Sequence, residues 1–309
     1  MGDAVKDAFL ELANGHFESG LDKLNQDPWW HDDCFDLTGP FRLGFPGDGW
    51  GEDLLAASLL KREAVNQGMS VKVFADWQVR SILKQDPSFD VLQKKGEKKE
   101  GRSPLAILIH ALTGELLEKQ FIPLSPQALR SQPTDRRRIG IAWTSINKYN
   151  ERTPEKSVPV KQFLDTLDGI SGDFVSLQRN LEIADPNGLL RKFGARIVSD
   201  DVLNTKSDTS LDTLVKEIRQ LDCLVTISTT TTHIAAALGV NVVLIAAERT
   251  GRQWFWQAQA NHQKCFYPTV KVYIGEGEKD GWWKKCLEPA RASLEGLLRQ
   301  VGNRGIGYV

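Results

Sequence analysis

The residues with the clearest chemical potential lie between Asp222 and Gly239, D-C-L-V-T-I-S-T-T-T-T-H-I-A-A-A-L-G. Leu224, Val225 and Ile227 read as a short buried strand. Ser228 to Thr232 are consecutive hydroxyl residues, and His233 leads into a helical run closed by Gly239. A strand that breaks into a helix through Ser and Thr leaves backbone N–H groups unbonded at the helix start. Those N–H groups, the hydroxyls and the positive end of the helix dipole attract an anion, most often a phosphate. The stretch is a candidate dock for a nucleotide diphosphate. The same pattern also serves a plain helix cap, with Ser228 or Thr229 as the cap and His233 as a packed helix residue.

Two further stretches carry candidate chemistry. After the strand-like F-R-L-G-F at Phe41, the turn P-G-D-G-W-G-E-D runs from Pro46 to Asp53. Its glycines Gly49 and Gly51 let backbone approach a ligand. They place Glu52 at the start of a helix and at the carboxyl end of a strand, the edge where open α/β sheets bind ligands. Glu52 reads as a general base, or as an acidic first-turn residue favoured by the helix dipole. The turn does not satisfy G-x-G-x-x-G and is no dinucleotide fingerprint. The second stretch follows I-G-I-A-W at Ile139, where Thr144 and Ser145 again put hydroxyls at a strand's carboxyl end. The aromatic patch R-Q-W-F-W from Arg252, with Trp254 inside it, could stack on a base or sugar; such clusters are equally ordinary core.

Positioning these residues takes two α/β halves, and 309 residues suit two domains better than one small core. Residues 4–25 read as two short helices joined at Asn14-Gly15, with Phe9, Leu10 and Leu12 facing Phe17, Leu21 and Leu24. The pair looks like one degenerate tetratricopeptide-type repeat, or a plain helical hairpin. A single repeat cannot bury its own face, so it needs a neighbour, with Trp29-Trp30 as apolar docking surface. The first half alternates the Phe41 strand, a helix from Leu54 to Glu63, a strand Val71–Phe74 and a helix through Val79 and Leu83. Lys94 to Arg102 is a charged, solvated loop, and Ser125 to Arg138 is the linker. The second half has strands at Ile139, Phe174–Gln178, Ala195–Val198, Leu224–Ile227 and Val242–Ile245, with helices between them and a terminal helix from Leu287. Such alternation argues for parallel sheets with helices on both faces. It points Thr144, Ser145, Gln178, Ser228 and Glu248 to one edge. The boundaries expected are 1–35 for the helical segment, 36–130 and 138–286 for the two α/β domains, and 287–309 for a terminal helix and tail.

Bulk properties exclude several classes. Lys+Arg is 39 against Asp+Glu 40, so no global basic field suggests nucleic acid. The run Arg136-Arg137-Arg138 beside Asp135 reads as solvated linker. Four scattered cysteines without a C-x-x-C pair and five dispersed histidines argue against a zinc site, and Cys223 reads as inert core. No apolar core follows Met1 and no run approaches a membrane span. A cytoplasmic enzyme or binding protein without a resident metal or cofactor is the expectation.

The order of these motifs resembles the GT-B glycosyltransferases, and more narrowly the heptosyltransferase-like glycosyltransferases of family 9, in the form fused behind tetratricopeptide repeats. G-W-G-E-D-L from Gly49 resembles that family's G-x-G-D-x-L. I-G-I-A-W-T-S resembles the start of its donor domain, and K-S-V-P from Lys156 its basic–x–x–Pro step. V-S-L-Q to Gln178 fits its next strand, and D-C-L-V-T-I-S-T-T-T-T-H-I-A-A-A-L-G resembles its D-L-V-I-S-V-D-T-x-x-x-H-x-A-G-A-L-G. W-F-W and Tyr267-Pro268 fit the aromatic stretch beyond. The resemblance implies two Rossmann-like parallel-sheet domains facing across a cleft. It implies inverting, metal-independent transfer of a sugar from a nucleotide-diphosphate sugar to a hydroxyl of a glycan, lipid-linked or protein acceptor. Glu52 takes the place of the general base, where the family carries Asp. Thr144, Ser145 and Lys156 would hold the diphosphate, completed by Thr229, Thr230, Thr231 and His233, with Gln178 near the ribose. Ser228 stands where the family has an acid and Ala236 where it has glycine. Two other readings remain: a catalytically inactive GT-B module that binds a nucleotide sugar or a protein, and a nucleotide-sugar epimerase on the same fold.

Overall fold

The computed structural model describes residues 3–25, 40–43, 50–75, 77–92, 107, 111, 115–124, 136–146, 153–198, 208–248, 253–262, 264–276 and 281–303. The chain forms two compact units, Met1–Pro126 with Arg249–Pro268, and Gln127–Glu248 with Thr269–Val309. Among the described residues no helix is long and apolar enough to cross a membrane.

The first unit carries a parallel sheet in the order β1 (Phe41–Leu43), β2 (Val71–Ala75), β3 (Phe89–Leu92). Helix α3 (Trp50–Gln67) joins β1 to β2, and α4 (Trp77–Lys84) joins β2 to β3. Strong helix formers, Leu, Ala, Lys, Arg and Glu, fill α3. Glu52 and Asp53 in its first turn meet the positive end of its dipole. Gly68, at φ +66°, closes it with Gly68 N–H to Val65 O and Met69 N–H to Ala64 O, a left-handed cap that costs other residues strain. Residues Asp53 to Ala64 are buried without interruption, so α3 shows no amphipathic stripe and its charges must find partners inside. Lys61 Nζ donates to Asp86 at 2.6 Å and to the Pro123 carbonyl at 2.7 Å. Arg62 donates to the carbonyls of Cys265 and Phe266 and lies over the Phe121 ring.

The N-terminal hairpin of α1 (Asp3–Ala13) and α2 (Phe17–Asn25) turns at Gly15, whose φ is +82°. It does find a neighbour, and that neighbour comes from the far end of the chain. The α1–α2 pair packs against the segment that forms α10 (Trp254–His262): Phe17 meets the His262 ring edge-on at 6.1 Å. Trp29-Trp30, the docking surface expected from sequence, lies outside the described residues, as does the Lys94–Arg102 loop. Nothing in the hairpin beyond its two helices marks it as a tetratricopeptide repeat.

The second unit is built on a six-stranded, all-parallel sheet. Its strands are β4 (Arg138–Ala142), β5 (Asp173–Ser176), β6 (Arg196–Ile197), β7 (Cys223–Ile227), β8 (Asn241–Ala247) and β9 (Val270–Gly275). Their order in space is β6-β5-β4-β7-β8-β9. Helices α5 (Val160–Leu167), α6 (Leu181–Ala184), α7 (Leu189–Phe193), α8 (Asp208–Arg219), α9 (Thr230–Ala237) and α11 (Lys284–Asn303) connect and cover it. Continuous apolar runs such as Cys223–Ile227 bury on both faces, as parallel strands between helices do. Ile139, Ile141, Val225, Ile227, Val243 and Ile245 form one core with Trp143, Phe163 and Leu294. Cys223 is part of it, and burial raises its thiol far above the ordinary value, so it offers no thiolate. Helix α11, expected as a separate tail, is packed on β8, β9 and α5 and belongs to this unit.

Three segments differ from the sequence reading. Strands β3 and β9 were not expected there. Arg249–Pro268 was assigned to the second α/β domain and instead packs with the first unit. Its aromatic residues explain the return. Trp254 packs on Phe266 at 5.7 Å, Phe255 on Phe266 at 6.2 Å and Trp256 beside Tyr267 at 6.1 Å, all fully buried. Each large aromatic buries area worth on the order of 2 kcal/mol, a driving force no polar linker supplies.

Candidate ligand site at the sheet switch point

Numbered in chain order from β4, the second sheet runs 3-2-1-4-5-6, and its order reverses between β4 and β7. Chain leaving β4 and chain leaving β7 pass to opposite faces, and a crevice opens between them at the carboxyl edge. The register pairs Ala142 with Thr226. Two residues on, Thr144 and Ser228 stand at the same edge. Stretches 84 residues apart in sequence are thereby brought to one place: Thr144 and Ser145 from β4, and Ser228 to Thr231 from β7.

The turn from β7 into α9 is made by its own hydroxyls. Thr232 Oγ1 donates to the Ile227 carbonyl at 2.7 Å and accepts the Thr229 N–H at 3.3 Å. Thr226 Oγ1 donates to the same carbonyl at 3.0 Å. Thr229 is the N-cap, in extended backbone. Of the five-hydroxyl run, Thr232 is thus used up by the fold and the Thr229 hydroxyl, expected at the diphosphate, is buried at the cap, while Thr230 remains part-exposed at the helix start. The Thr232 N–H bonds back to the Thr229 carbonyl at 3.1 Å, and the first N–H groups of α9 have no carbonyl four residues back within the helix, as at any helix start.

His233 lies inside α9 and is 4% exposed. Burial lowers its imidazole from 6.5 to about 3, so it is neutral at ordinary pH and brings no positive charge to a diphosphate. The unfolded chain binds a proton near pH 6.5 that the folded chain refuses until about pH 3. Stability therefore falls as pH drops through that window, by on the order of 1 kcal/mol per pH unit. Denaturation of the wild type and of His233→Gln at pH 7 and pH 4.5 checks this: the variant should lose much of the acid sensitivity, and an equal slope in both would assign it to other groups.

On the β4 side the loop is tied at its base. Thr153 N–H donates to Ser145 O at 2.8 Å and Val158 N–H to Trp143 O at 2.9 Å. Ser157, fully buried, accepts the Ser145 N–H at 3.1 Å and donates to Thr153 O at 2.7 Å. Lys156 sits in the short 3-10 turn Pro154–Lys156 that this tie holds, half-buried at the same edge. Ser157 escaped the sequence reading, because one Ser between a lysine and a proline carries no local sign of such a role.

Gln178 stands at the strand edge expected for it, but its carboxamide is already engaged. Its carboxamide oxygen accepts the N–H groups of Trp143 at 3.0 Å and Thr144 at 2.9 Å. Its nitrogen donates to the carbonyls of Thr144 and Arg179, both at 3.0 Å. All four hydrogen-bonding positions of the group are filled internally, and the residue is 2% exposed. Gln178 is a clasp between the ends of β4 and β5 and has nothing left for a ribose. Trp254 is corrected as well. It is 0% exposed in the core of the first unit and presents no ring face to a base or sugar.

In the first unit the structure puts Gly51 and Glu52 inside the first turn of α3, four residues earlier than the helix expected from Leu54. Glu52 is half-buried and Asp53 fully buried, so of the two carboxylates only Glu52 has access to solvent. Gly49 lies outside the described residues. No group of three or more His, Cys, Asp or Glu among the described residues forms a metal-holding cluster.

No protein-family model matches the chain, and no curated protein matches it. Solved structures do. ADP-heptose LPS heptosyltransferase II from E. coli is 14% identical, with 86% of this chain and 100% of that one covered at a TM-score of 0.54. A family 9 glycosyl transferase from Veillonella parvula is 12% identical over 84% of this chain and 91% of its own, at 0.49. The dodecameric iron-containing heptosyltransferase TibC in complex with ADP-D-beta-D-heptose is 12% identical over 86% and 78%, at 0.48. At such identities the first of these shows a shared fold, α/β with parallel sheets.

Proposed function

We propose that this protein is a glycosyltransferase that moves a sugar, with inversion, from a nucleotide-diphosphate sugar to an acceptor hydroxyl. The observation that carries the reading is the meeting of two hydroxyl-lined strand ends, Thr144-Ser145 and Ser228–Thr231, at the switch point of the second sheet. There the N–H groups of α9, its dipole, the Thr230 hydroxyl and Lys156 take the diphosphate. Lys156 and the helix end supply the positive charge that a divalent ion would otherwise bring. Glu52 accepts the acceptor's hydroxyl proton as that oxygen attacks the anomeric carbon. The bond from that carbon to the phosphate oxygen breaks in the same displacement, and the nucleoside diphosphate leaves. The fold shared with heptosyltransferase II supports this class of donor and acceptor chemistry.

A thermal-shift series with nucleoside diphosphates and their sugars tests the donor half. A ligand present at about 100 times its dissociation constant adds ~2.7 kcal/mol and raises Tm by roughly 5–10 °C. No shift with any of them sinks the reading. Turnover of the best donor should survive EDTA, and loss of activity that added iron or a divalent ion restores would overturn metal independence. Ser228 and the neutral His233 favour one second reading, a module that binds nucleotide sugars without turning them over; any release of nucleoside diphosphate with an acceptor present rules it out.

A further inference from the structure

The β4 side of the crevice has little backbone to offer a ligand. The N–H groups of Trp143 and Thr144 go to Gln178, and the Ser145 N–H goes to the Ser157 hydroxyl at 3.1 Å. No backbone donor at these three positions remains for a phosphate, and the Thr144 residue is itself buried. This side can contribute the half-buried Ser145 hydroxyl and the half-buried Lys156 ammonium. His233 is neutral at ordinary pH. Among the residues assigned to the diphosphate, Lys156 is therefore the one full positive charge, and where it stands matters.

It stands on an arm. The 3-10 turn Pro154–Lys156 lies against β8, and β7 separates β8 from β4 in the sheet. Two strand spacings are roughly 10 Å. Chain leaving β4 thus reaches past β7, the strand that leads into α9, and the turn carries Lys156 with it. Ser157 fixes this arm and is 0% exposed. Its one hydroxyl serves both ends: it accepts the N–H of Ser145, where chain leaves β4, and donates at 2.7 Å to the carbonyl of Thr153, where the turn begins. The Ser157 N–H closes the turn on the Pro154 carbonyl, and the Lys156 N–H bonds the Thr153 carbonyl, both at 3.0 Å. The next residue, Val158, is buried in the core and its N–H bonds the Trp143 carbonyl at 2.9 Å. The backbone under Lys156 is therefore set before any ligand arrives, and only the side chain has freedom to lose on binding.

We propose that Ser157 is the positioning residue of the donor site: its buried hydroxyl ties Ser145 to Thr153 and so holds the Lys156 ammonium where the diphosphate docks. The proposal rests on the diphosphate reading of the crevice and deepens it. Ser157 touches no substrate, and its whole effect on binding passes through Lys156. It also divides the site. Backbone N–H donors come from the α9 side, and charge comes from the arm that Ser157 holds.

A double-mutant cycle read by calorimetric titration of the full chain with ADP, GDP and UDP tests this. For the diphosphates that bind, Lys156→Ala should weaken affinity by roughly 10- to 100-fold and Ser157→Ala by at least about 5-fold. On the Lys156→Ala background, Ser157→Ala should change affinity by less than about twofold, because the group it positions is gone. Ser157→Ala also leaves the Ser145 N–H without its acceptor, so its Tm should fall. A merely structural Ser157 would lower Tm in the same way but leave the affinity of the folded protein alone. Ser157→Cys fills the same space with a weakly hydrogen-bonding thiol and carries the same expectation where Ser157→Ala does not stay folded. The proposal is overturned if the folded Ser157 variants bind as wild type, or if their loss of affinity is undiminished when Lys156 is absent. A wild type that binds none of the three diphosphates overturns the reading of the crevice itself, and this proposal with it.

Discussion

Glu52→Gln is expected to lower kcat by roughly 10²–10⁴-fold, the usual contribution of a positioned general base, while nucleotide binding stays within about twofold. The split follows from where the residues lie. Glu52 belongs to the first unit, and every residue assigned to the diphosphate belongs to the second. The substitution keeps the shape of the side chain in a half-buried first-turn position. It removes one favourable charge from the α3 dipole, a cost of about 0.5 kcal/mol that leaves the fold standing. Single-turnover assays at saturating donor, paired with the thermal shift given by the nucleoside diphosphate, read the two effects apart. A variant that transfers sugar at the wild-type rate removes Glu52 from the mechanism. Asp53→Asn is the natural comparison. Asp53 is wholly buried, so its loss should appear as lowered stability. If the folded Asp53→Asn protein is instead the inactive one, α3 must present its second carboxylate to the acceptor and the assignment moves by one residue.

The second sheet was the most legible part of the sequence, for a physical reason. Strands buried on both faces must be apolar throughout, so Leu224–Ile227 and Val242–Ile245 announce themselves without any partner. Strand β9 escaped because V-K-V-Y-I-G mixes exposed Lys271 with half-buried residues at a sheet edge. Strand β3 has four residues and one charge. The start of α3 was placed late because Gly51 is a poor helix former, and propensity yields there to a first turn whose acids suit the dipole. The hydroxyl turn at Ser228–Thr232 was visible, but the division of labour within it was not. Which hydroxyl bonds the Ile227 carbonyl depends on the curl of the chain. Trp254 and the whole segment Arg249–Pro268 show a different limit. Aromatic residues mark buried area but not its owner, and the owners here, such as Phe17 and Arg62, lie some 200 residues upstream.

Gln178 joins that limit to a large predicted effect. From sequence it was one polar residue at a strand end, suited to a ribose hydroxyl. In the fold it accepts two buried N–H groups, 35 and 34 residues away, and donates to two carbonyls, 34 residues and one residue away. Gln178→Leu fills the same volume and leaves the Trp143 and Thr144 N–H groups without an acceptor in a place water does not reach. Each orphaned group costs about 1–3 kcal/mol, so the variant should lose roughly 2–5 kcal/mol and about 10 °C in Tm. A ligand-contacting Gln178 would behave in the opposite way, with Tm unchanged and nucleotide affinity reduced. Gln178→Glu separates the parts of the clasp. It keeps an oxygen for the two N–H groups but cannot donate to Thr144 and Arg179, and it buries a charge beside their carbonyls. Its stability should recover as the carboxyl is protonated at low pH, because the protonated form regains a donor. Calorimetry of the three proteins at pH 7 and pH 5 therefore reports whether the crevice between β4 and β7 is shaped by Gln178 or merely lined by it.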